Sequence, residues 1–508
     1  MRTKHEALEQ FLGDVDEQIA YQPMHSTINE ELRGHIEDKA ETYMDFGLAE
    51  EEAFHRAVRD MGDPSALGAS LNEKHHLRIA KPLLGLILTL TLLGVMGNVV
   101  DGSLYQLFDS LYFVWGIAVL LVIMWRGYPM LLKYTDVILK ILVLCCLGMS
   151  VLPLMTRLFN GEWFTHHFLS IYSVSVRYGV LQLSIPLMAV LLYRNRRNGI
   201  KSICIVFAYE ALMIFLAMAT YVIDYAYVPI VTLLVSCTGI IIYMIVKEYL
   251  AVSEIKGTLV TILGTAAVFL LFIFMDGSNF IDNMQMFVNP GAKASVQTAW
   301  DDSYNNVLIQ DLLGKAELFG EVQLSEEELI RYNTSQWYYE DGEGSWNNGE
   351  EGWISLEKHT AYKMQFADSL ELEDILPQHY LNNYRIAYWI LKYGLIPALL
   401  PVLLILATQI VMLITAWKIR NPLGRLTALS GAFAFFVQNL FYFLGNFGFQ
   451  FGQFGNLPFV SEGLVSITGT MIMAGLILSA YRFDTVIKET SKGIIKKQSF
   501  FFMLSYKI

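Results

Sequence analysis

The sequence predicts an all-α, polytopic membrane protein with about ten transmembrane helices and a small soluble helical bundle at its N-terminus. Hydrophobic residues make up 54% of the 508 residues, whereas charged residues make up only 17%. Apolar stretches recur from residue 82 onward, and each is long enough to cross the roughly 30 Å hydrocarbon core of a bilayer as a helix. Residues 1–79, by contrast, are rich in charge and show amphipathic rather than uniformly apolar patterns.

The apolar stretches define the candidate spans, and the charges between them define an orientation. Lysine and arginine are concentrated in alternate loops, such as residues 194–201 and 418–425, and in the segment after the last stretch. Because positive residues favour the cytoplasmic side, these loops and both termini are predicted to be cytoplasmic. The ten candidate spans lie at about 82–100, 107–125, 136–156, 178–194, 203–223, 226–246, 257–275, 386–416, 425–447 and 462–482.

One connection, at about residues 277–385, is too long to be a simple loop and is predicted to lie outside the cell. It is rich in acids, and its stretch Q-W-Y-Y-E-D at residues 336–341 places aromatic side chains beside them. Such a stretch suits a bound sugar or a partner protein. It equally suits the membrane interface, where Trp and Tyr are enriched, and this second interpretation is slightly favoured.

Composition also excludes several classes of function. The formal charge of −12 argues against nucleic-acid binding, because phosphate contacts require a clustered basic surface. The four cysteines lie inside apolar stretches without the spacing of a metal site and are predicted to be small core residues. The chain has no glycine-rich phosphate motif. We therefore expect neither a metal nor a cofactor.

The first 79 residues are predicted to form short amphipathic helices. Ser26 and Thr27 are candidate N-caps for the longest of these, and Gly47 and Gly62 stand where helices need a left-handed stop. The predicted helices run over about residues 6–21, 26–46 and 49–61, with a short one after the Asp-Pro pair at 63–64.

Ionisable residues inside predicted spans are functional candidates, because burying a charge in a membrane is costly. Asp136 and Lys140 have the i,i+4 spacing of an ion pair on the third span. Glu210 lies deep in the fifth span, where it would serve a proton relay or line a polar cavity. Asp224 closes the same span at the predicted outer face, where it would meet water and an external substrate.

With the spans placed, several peptides between them resemble the SEDS family, the peptidoglycan glycosyltransferases typified by RodA and FtsW together with SpoVE. Residues 456–463, N-L-P-F-V-S-E-G, resemble that family's P-L-P-F-V-S-Y-G-G, and residues 421–426, N-P-L-G-R-L, are similar to its D-P-F-G-R-L. Shorter similarities occur at 160–163, 287–290 and 304–320 in the family's order. The family's motif positions fall here on Asp224, Tyr304, Gly320, Pro377, Gln438, Pro458, Ser461 and Gly463.

The resemblance implies a fold and a chemistry, but it fails at the residue that matters most for that chemistry. The family transfers disaccharide units from lipid II onto a growing glycan, and its essential Asp precedes the eighth span. Asn383 occupies that place here, and an amide cannot act as a general base. On the fourth span, Tyr178 and Leu181 replace a Glu and a Lys of the family pattern.

Three functions remain open at this point, and no catalytic residue is assigned. The first is a non-catalytic or regulatory membrane protein of peptidoglycan growth, division or sporulation that still binds a lipid-linked precursor. The second is an active lipid II glycosyltransferase that uses a displaced carboxylate, with Asp368, Glu373 and Asp374 as candidates. The third and least favoured is a transporter. The resemblance also implies the bacterial cytoplasmic membrane and a penicillin-binding-protein-like or divisome partner.

Residues 1–79 resemble a separate module, the permease-prefix or HAAS-type helical domain. The similarity rests on E-E-L-R-G-H-I-E-D at residues 30–38, G-L-A-E-E-E-A at 47–53 and M-G-D-P at 61–64. It implies a cytoplasmic regulatory or docking domain. Residues 80–508 then form the SEDS-like transmembrane domain.

The predicted topology is tested by reporter fusions at two positions. A reporter joined after Arg197 should be active only in its cytoplasmic form, because this loop carries a cluster of bases. A reporter joined after Ser345, in the long acidic connection, should be active only in its exported form. The same side for both reporters would contradict the ten-span arrangement.

Overall fold

The computed structural model describes residues 2–74, 76–101, 110–158, 170–218, 227–292, 302–332, 337–339, 361–363, 371–377, 379–452 and 456–486. Over these residues the chain is almost entirely helical. Seven of the described helices are long and apolar enough to cross a membrane by length and composition. The protein is therefore an all-α, polytopic membrane protein, as the sequence predicts.

The N-terminal residues fold into four helices around a small apolar core. The core includes Phe11, Val15, Ile28, Ile36 and Phe54, all of them buried. Because apolar residues recur on one face of each helix, the helices bury these faces against one another and expose their charged faces. The helices are α1 (Arg2–Glu17), α2 (His25–Asp45), α3 (Glu50–Arg59) and α4 (Pro64–Lys74).

The ends of these helices confirm one local prediction and correct another. Gly47 and Gly62 have φ of +89° and +82°, so both are the left-handed stops that the sequence indicates. The predicted cap at Ser26 and Thr27 is wrong. A 3₁₀ turn at Gln22–Met24 leads directly into α2 and draws both residues into its first turn, and no side chain caps this end.

The first membrane helices follow the predicted spans with one merger. The spans predicted at about 107–125 and 136–156 form one stretch, α6, with a non-helical backbone at Tyr134 (φ −111°, ψ 16°), so α6 is two helices joined there. The helices in this region are α5 (Lys81–Asp101), α6 (Leu111–Leu158), α7 (Ser170–Arg194), α8 (Ile200–Met218), α9 (Tyr227–Val246) and α10 (Glu254–Asp276).

The predicted ion pair within α6 is replaced by a pair between helices. Asp136 accepts two hydrogen bonds from the Arg194 guanidinium at the end of α7, at 3.1 and 3.2 Å, rather than pairing with Lys140. The planar guanidinium fork matches both carboxylate oxygens, which a lysine ammonium cannot do. This pair joins α6 to α7 at the end where the basic loops lie.

The long connection contains helices and, within the described residues, one pair of short strands. The strands, β1 (Trp337–Tyr339) and β2 (Ala361–Lys363), are antiparallel, with Tyr338 opposite Tyr362. A 3₁₀ turn lies at Leu372–Asp374. The helices are α11 (Ser278–Val288), α12 (Asp302–Gly314), α13 (Glu326–Tyr332), α14 (Tyr380–Asn383) and α15 (Arg385–Tyr393).

A charged contact ties α12 to α13 within this connection. Lys315 donates to the Glu328 carboxylate at 2.9 Å and to the Tyr332 hydroxyl at 2.9 Å. The Lys315 hydrogen bond, together with donors from Ser325, lowers the pKa of Glu328 to about 2. Because the pKa of Glu328 is lowered, this contact contributes fully to folding stability at pH values above the ordinary pKa of a glutamate. The contribution is lost as the pH falls towards the lowered pKa.

The last three helices complete the bundle: α16 (Leu395–Trp417), α17 (Pro422–Asn446) and α18 (Leu464–Arg482). The eighth predicted span, at 386–416, is divided at Gly394, where φ is +96°. Only α16 has the length and composition of a span. The preceding α15 belongs to the connection, because Gly320 and Val322 of the connection donate to the carbonyls of Tyr393 and Leu391.

The helix α18 lies in the centre of the described bundle and α10 lies at its edge. The apolar part of α18 is 67% buried, and it packs on α6, α7 and α17. The apolar part of α10 is only 17% buried, and Leu263, Leu270 and Phe274 are exposed on it. Exposed apolar side chains on a membrane helix face lipid, so α10 is a lipid-facing helix.

The N-terminal bundle is attached to the end of α18. The Tyr21 ring packs edge-on against Phe483, and the Thr485 hydroxyl donates to the His76 carbonyl at 2.8 Å. Asp484 accepts from the backbone N–H groups of Arg420 and Asn421, at 2.7 and 2.8 Å. One end of the membrane bundle is therefore in contact with the N-terminal bundle.

Gly394 is a position where even the substitution of glycine by alanine should be costly. A Cβ there would lie 2.6 Å from the Phe319 Cα and 2.8 Å from the Leu318 carbonyl, and neither backbone atom yields easily. Gly394→Ala adds this clash to a positive-φ strain of about 1–3 kcal/mol. Gly277→Ala, at φ +65° with no atom within 4 Å, carries the strain alone. Thermal unfolding in detergent should show a clearly lower midpoint for the first variant, and equal midpoints would contradict the close contact.

Candidate functional site

Residues 456–463, which precede α18, fold back into the bundle instead of crossing its surface. Gln438, about two turns before the end of α17, donates to the Asn456 carbonyl at 2.7 Å. The Phe459 ring lies 5.4 Å from that of Phe435, a further turn down the same helix. Leu457, Phe459 and Val460 are buried. Irregular backbone at membrane depth needs such internal partners, because lipid offers none.

This re-entrant segment, residues 456–463, ends in a carboxylate held by two amides. The Glu462 Oε2 accepts from Asn98 Nδ2 at 2.8 Å, and its Oε1 accepts from Asn382 Nδ2 at 3.0 Å. The Glu462 backbone N–H donates in return to Asn382 Oδ1 at 3.0 Å. Glu462 is half-buried, so it lies at the boundary of the packed bundle.

A buried arginine lies behind these amides. Arg385, at the start of α15, is 1% exposed. Its Nη2 donates to Asn98 Oδ1 at 2.6 Å, its Nη1 to the Gly94 carbonyl at 3.3 Å, and its Nε to the Leu381 carbonyl. The Asn98 amide therefore bridges a guanidinium and a carboxylate. A buried charge requires such partners, because losing its hydration without them would cost several kcal/mol or more.

Asn446 fixes the start of α15 beside this cluster. Its Oδ1 accepts from the backbone N–H groups of Ile386 and Ala387, at 3.0 and 3.1 Å, and its Nδ2 donates to the carbonyls of Asn383 and Tyr442, at 3.0 and 2.9 Å. The amide thus satisfies free donors at a helix N-terminus from a neighbouring helix. It holds the backbone of Asn383, whose side chain is half-buried.

Several residues of the family motifs meet here. Ser461 Oγ donates to the Asn382 carbonyl at 3.1 Å, and Gln438 accepts from Gln182 Nε2 at 2.6 Å. Gly463, with φ of +115°, turns the chain into α18. Pro458 is buried within the re-entrant segment. The peptides before the eighth and last predicted spans, far apart in the chain, are therefore in direct contact.

Other predicted positions lie elsewhere. Tyr304 donates to the Tyr332 carbonyl at 3.2 Å inside the long connection, and Gly320 pairs with Tyr393. Pro377 is buried just before α14. The candidates Asp224 and Asp368 lie outside the described residues.

The two described candidates for a substitute acid have structural partners. Glu373 forms an ion pair with Lys392 at 2.9 Å and accepts from the Tyr388 hydroxyl at 3.3 Å. Asp374 accepts from the Glu371 backbone N–H at 2.8 Å and caps the 3₁₀ turn. Glu373 therefore contacts α15 at Tyr388 and Lys392, which follow Asn383 by more than one helical turn. Glu462, in contrast, bonds to the residue immediately before Asn383.

Sequence reasoning missed Glu462, Arg385 and Asn98. A signal existed for the first, since Glu462 stands where the family motif has a tyrosine. On the fourth predicted span, Leu181 is buried, and its neighbour Gln182 connects α7 to the site through Gln438.

Glu210 is a separate feature. Its carboxyl group is 1% exposed and faces the Cys237 thiol on α9, among helices remote from the cluster described above. Cys146 and Cys237 are buried, as predicted for core residues. Cys145 and Cys204 are exposed, so the prediction is wrong for these two.

The geometry suits recognition of a hydrogen-bond donor. A carboxylate can accept a hydrogen bond from a hydroxyl group or deprotonate it. Within the described residues, no group of three or more His, Cys, Asp and Glu side chains is arranged to hold a metal ion.

Comparisons with known proteins add little. No family model and no curated protein matches the chain. One solved structure, of a peptidoglycan synthase complex that coordinates polymerization and crosslinking, contains a chain that is similar in structure. The identity is 11% over 80% of this chain and 98% of that one, with a TM-score of 0.48. A likeness of this size establishes neither a shared fold nor a shared activity.

Asn446 offers a test of the site's framework. Asn446→Ala leaves two backbone N–H groups of α15 and two carbonyls without this partner, so we expect a loss on the order of 2–5 kcal/mol in the free energy of unfolding. Asn283→Ala is the control, because that side chain makes one exposed hydrogen bond, to the Asn279 carbonyl. Unfolding in mixed micelles measures both variants. Equal losses would contradict the assigned role of Asn446.

Proposed function

We propose that this chain is an integral membrane protein of bacterial cell-envelope growth that acts in peptidoglycan synthesis, division or sporulation. In this proposal it is a non-catalytic or regulatory relative of the SEDS family that binds a lipid-linked precursor. The observation that supports it is the contact between the peptides that resemble the family. Ser461 donates to the Asn382 carbonyl, and Gln438 binds Asn456.

The residues at three positions of the family pattern, and the partners of the two described candidate acids, support a non-catalytic role. Asn383 carries an amide where the family has its acid, and an amide cannot take a proton from a sugar hydroxyl. Tyr178 and Leu181 replace two further charged groups of the family pattern. Glu373 and Asp374 are engaged in an ion pair and a turn.

The remaining features fit a precursor-binding protein in the cytoplasmic membrane. The cluster around Glu462 lies at the end of the bundle opposite the basic loops, which faces the cell exterior in the predicted orientation. The N-terminal module would then lie in the cytoplasm, at the other end of α18, and report on the membrane domain. A penicillin-binding-protein-like or divisome protein is the proposed partner.

The test is to measure binding and polymerisation of lipid II separately with purified protein. We expect lipid II to bind and no glycan to form, because general-base catalysis typically supplies about 10²- to 10⁴-fold in rate. Asn383→Asp should restore slight activity at most, since Tyr178 and Leu181 remain. An active enzyme of the family serves as the positive control. Failure to bind lipid II would contradict the proposal.

One observation favours a second function, an active lipid II glycosyltransferase with Glu462 as the displaced carboxylate. Glu462 is bonded to Asn382, one residue from the family's acid position. If the unaltered protein polymerises lipid II, Glu462→Gln should lower the polymerisation rate about 10²- to 10⁴-fold, as expected for the loss of a general base. Glu373→Gln and Asp374→Asn should then retain activity. Robust polymerisation would overturn the non-catalytic assignment.

A further inference from the structure

The orientation of the Asn98 amide is set by the charge behind it. The Arg385 Nη2 can only donate, so Asn98 must present Oδ1 to it, at 2.6 Å. The amide Nδ2 then necessarily faces the Glu462 Oε2, at 2.8 Å. The reverse orientation would place donor against donor on one side and acceptor against carboxylate on the other. Arg385 therefore determines, through Asn98, which group meets Glu462.

Two glycines on α5 make this close approach possible. A Cβ at Gly97 would lie 2.7 Å from the Arg385 Nη1, and a Cβ at Gly94 would lie 2.6 Å from the Val460 carbonyl. The helix thus leaves room for the guanidinium on one turn and for the re-entrant segment on the previous turn. A side chain at Gly97 would require the guanidinium to shift from its position beside Asn98.

The carboxylate is held from a second side as well. Asn382 donates to Oε1 and accepts from the Glu462 backbone N–H, both at 3.0 Å. Asn382 is fixed in turn, because its carbonyl accepts from the Tyr442 hydroxyl at 2.6 Å. Donors from α5 and α14 therefore orient both oxygens of Glu462 before any ligand arrives.

We propose that Arg385 and Asn98 are positioning residues that preset Glu462 to accept a hydrogen bond from a sugar hydroxyl of the ligand's headgroup, and not to contact its phosphates. A carboxylate attracts hydroxyl donors and repels phosphate. Arg385 offers no alternative phosphate contact, since it is 1% exposed and turned inward. This inference rests on the proposed function, because it names the part of the lipid-linked precursor that the site recognises.

The first experiment needs no ligand. The infrared difference between the unaltered protein and Glu462→Gln identifies the carboxylate bands of Glu462. Gly97→Ala displaces the guanidinium without removing a polar group and should shift these bands. Gly85→Ala is the matched control, because its Cβ would have no atom within 4 Å on the same helix.

Two further variants separate positioning from general damage to the fold. Asn98→Leu should shift the Glu462 bands at least as far as Gly97→Ala. Arg385→Lys keeps the charge and an N–H donor but loses the planar guanidinium, and it should shift the bands less than Asn98→Leu. The inference is overturned if Gly97→Ala and Asn98→Leu both leave the bands where they are in the unaltered protein.

The second experiment compares two lipids in binding assays. Lipid II and undecaprenyl diphosphate share the hydrocarbon chain and the diphosphate, but only the first carries sugars. Glu462→Gln should weaken lipid II binding about tenfold or more, as for the loss of a hydrogen bond to a charged group, and leave undecaprenyl diphosphate unchanged. Equal loss for both lipids, or loss for neither, would overturn the sugar assignment. If the unaltered protein binds neither lipid, the proposed function and the sugar assignment both fail, and the infrared result still decides the positioning role.

Discussion

The burial of one guanidinium is the constraint on which the architecture of this end of the bundle depends. Arg385 is the largest fully buried side chain among the described residues. Its charge must be satisfied without water, so three structural elements are drawn around it: α5 with its glycines, the turn before α15, and the re-entrant segment that supplies Glu462. The positions of the other polar groups at the site follow from this requirement.

The helix α18 connects this cluster with the N-terminal module. Glu462 lies two residues before the first residue of α18, Leu464, and Phe483 follows its last residue, Arg482, and packs on Tyr21. The helix α18 is enclosed by α6, α7 and α17. One packed helix therefore joins the N-terminal bundle to the polar site at the opposite end of the membrane bundle.

The features that sequence reasoning predicted well are those with a local cause. Apolar length specifies a span, and a glycine such as Gly47 or Gly62 marks a helix stop because only the local backbone matters. The break at Gly394 was missed, since an apolar run continues through it and its cause is the neighbouring segment at Leu318 and Phe319. In the same way, Asp136 pairs with Arg194 on another helix and not with Lys140 on its own helix.

The candidate site was predictable only where the resemblance gave positions. Gln438 and Ser461 do lie at the cluster, but Asn98, Arg385 and Glu462 come together across separations of 287 and 364 residues. No pattern of periodicity or spacing connects residues so far apart. An amide side chain in an apolar stretch, such as Asn98, indicates that a partner exists without identifying it.

The bridging amide has a consequence for how the sequence can diverge. Replacing Arg385 alone leaves the Asn98 Oδ1 without its donor, and replacing Glu462 alone leaves the Asn98 Nδ2 without its carboxylate acceptor. Residues in one such network are energetically coupled, so each substitution is tolerated only in the company of others. Positions 97, 98, 385 and 462 should consequently change together among descendants of this protein, as a heritable unit spread over three distant parts of the chain.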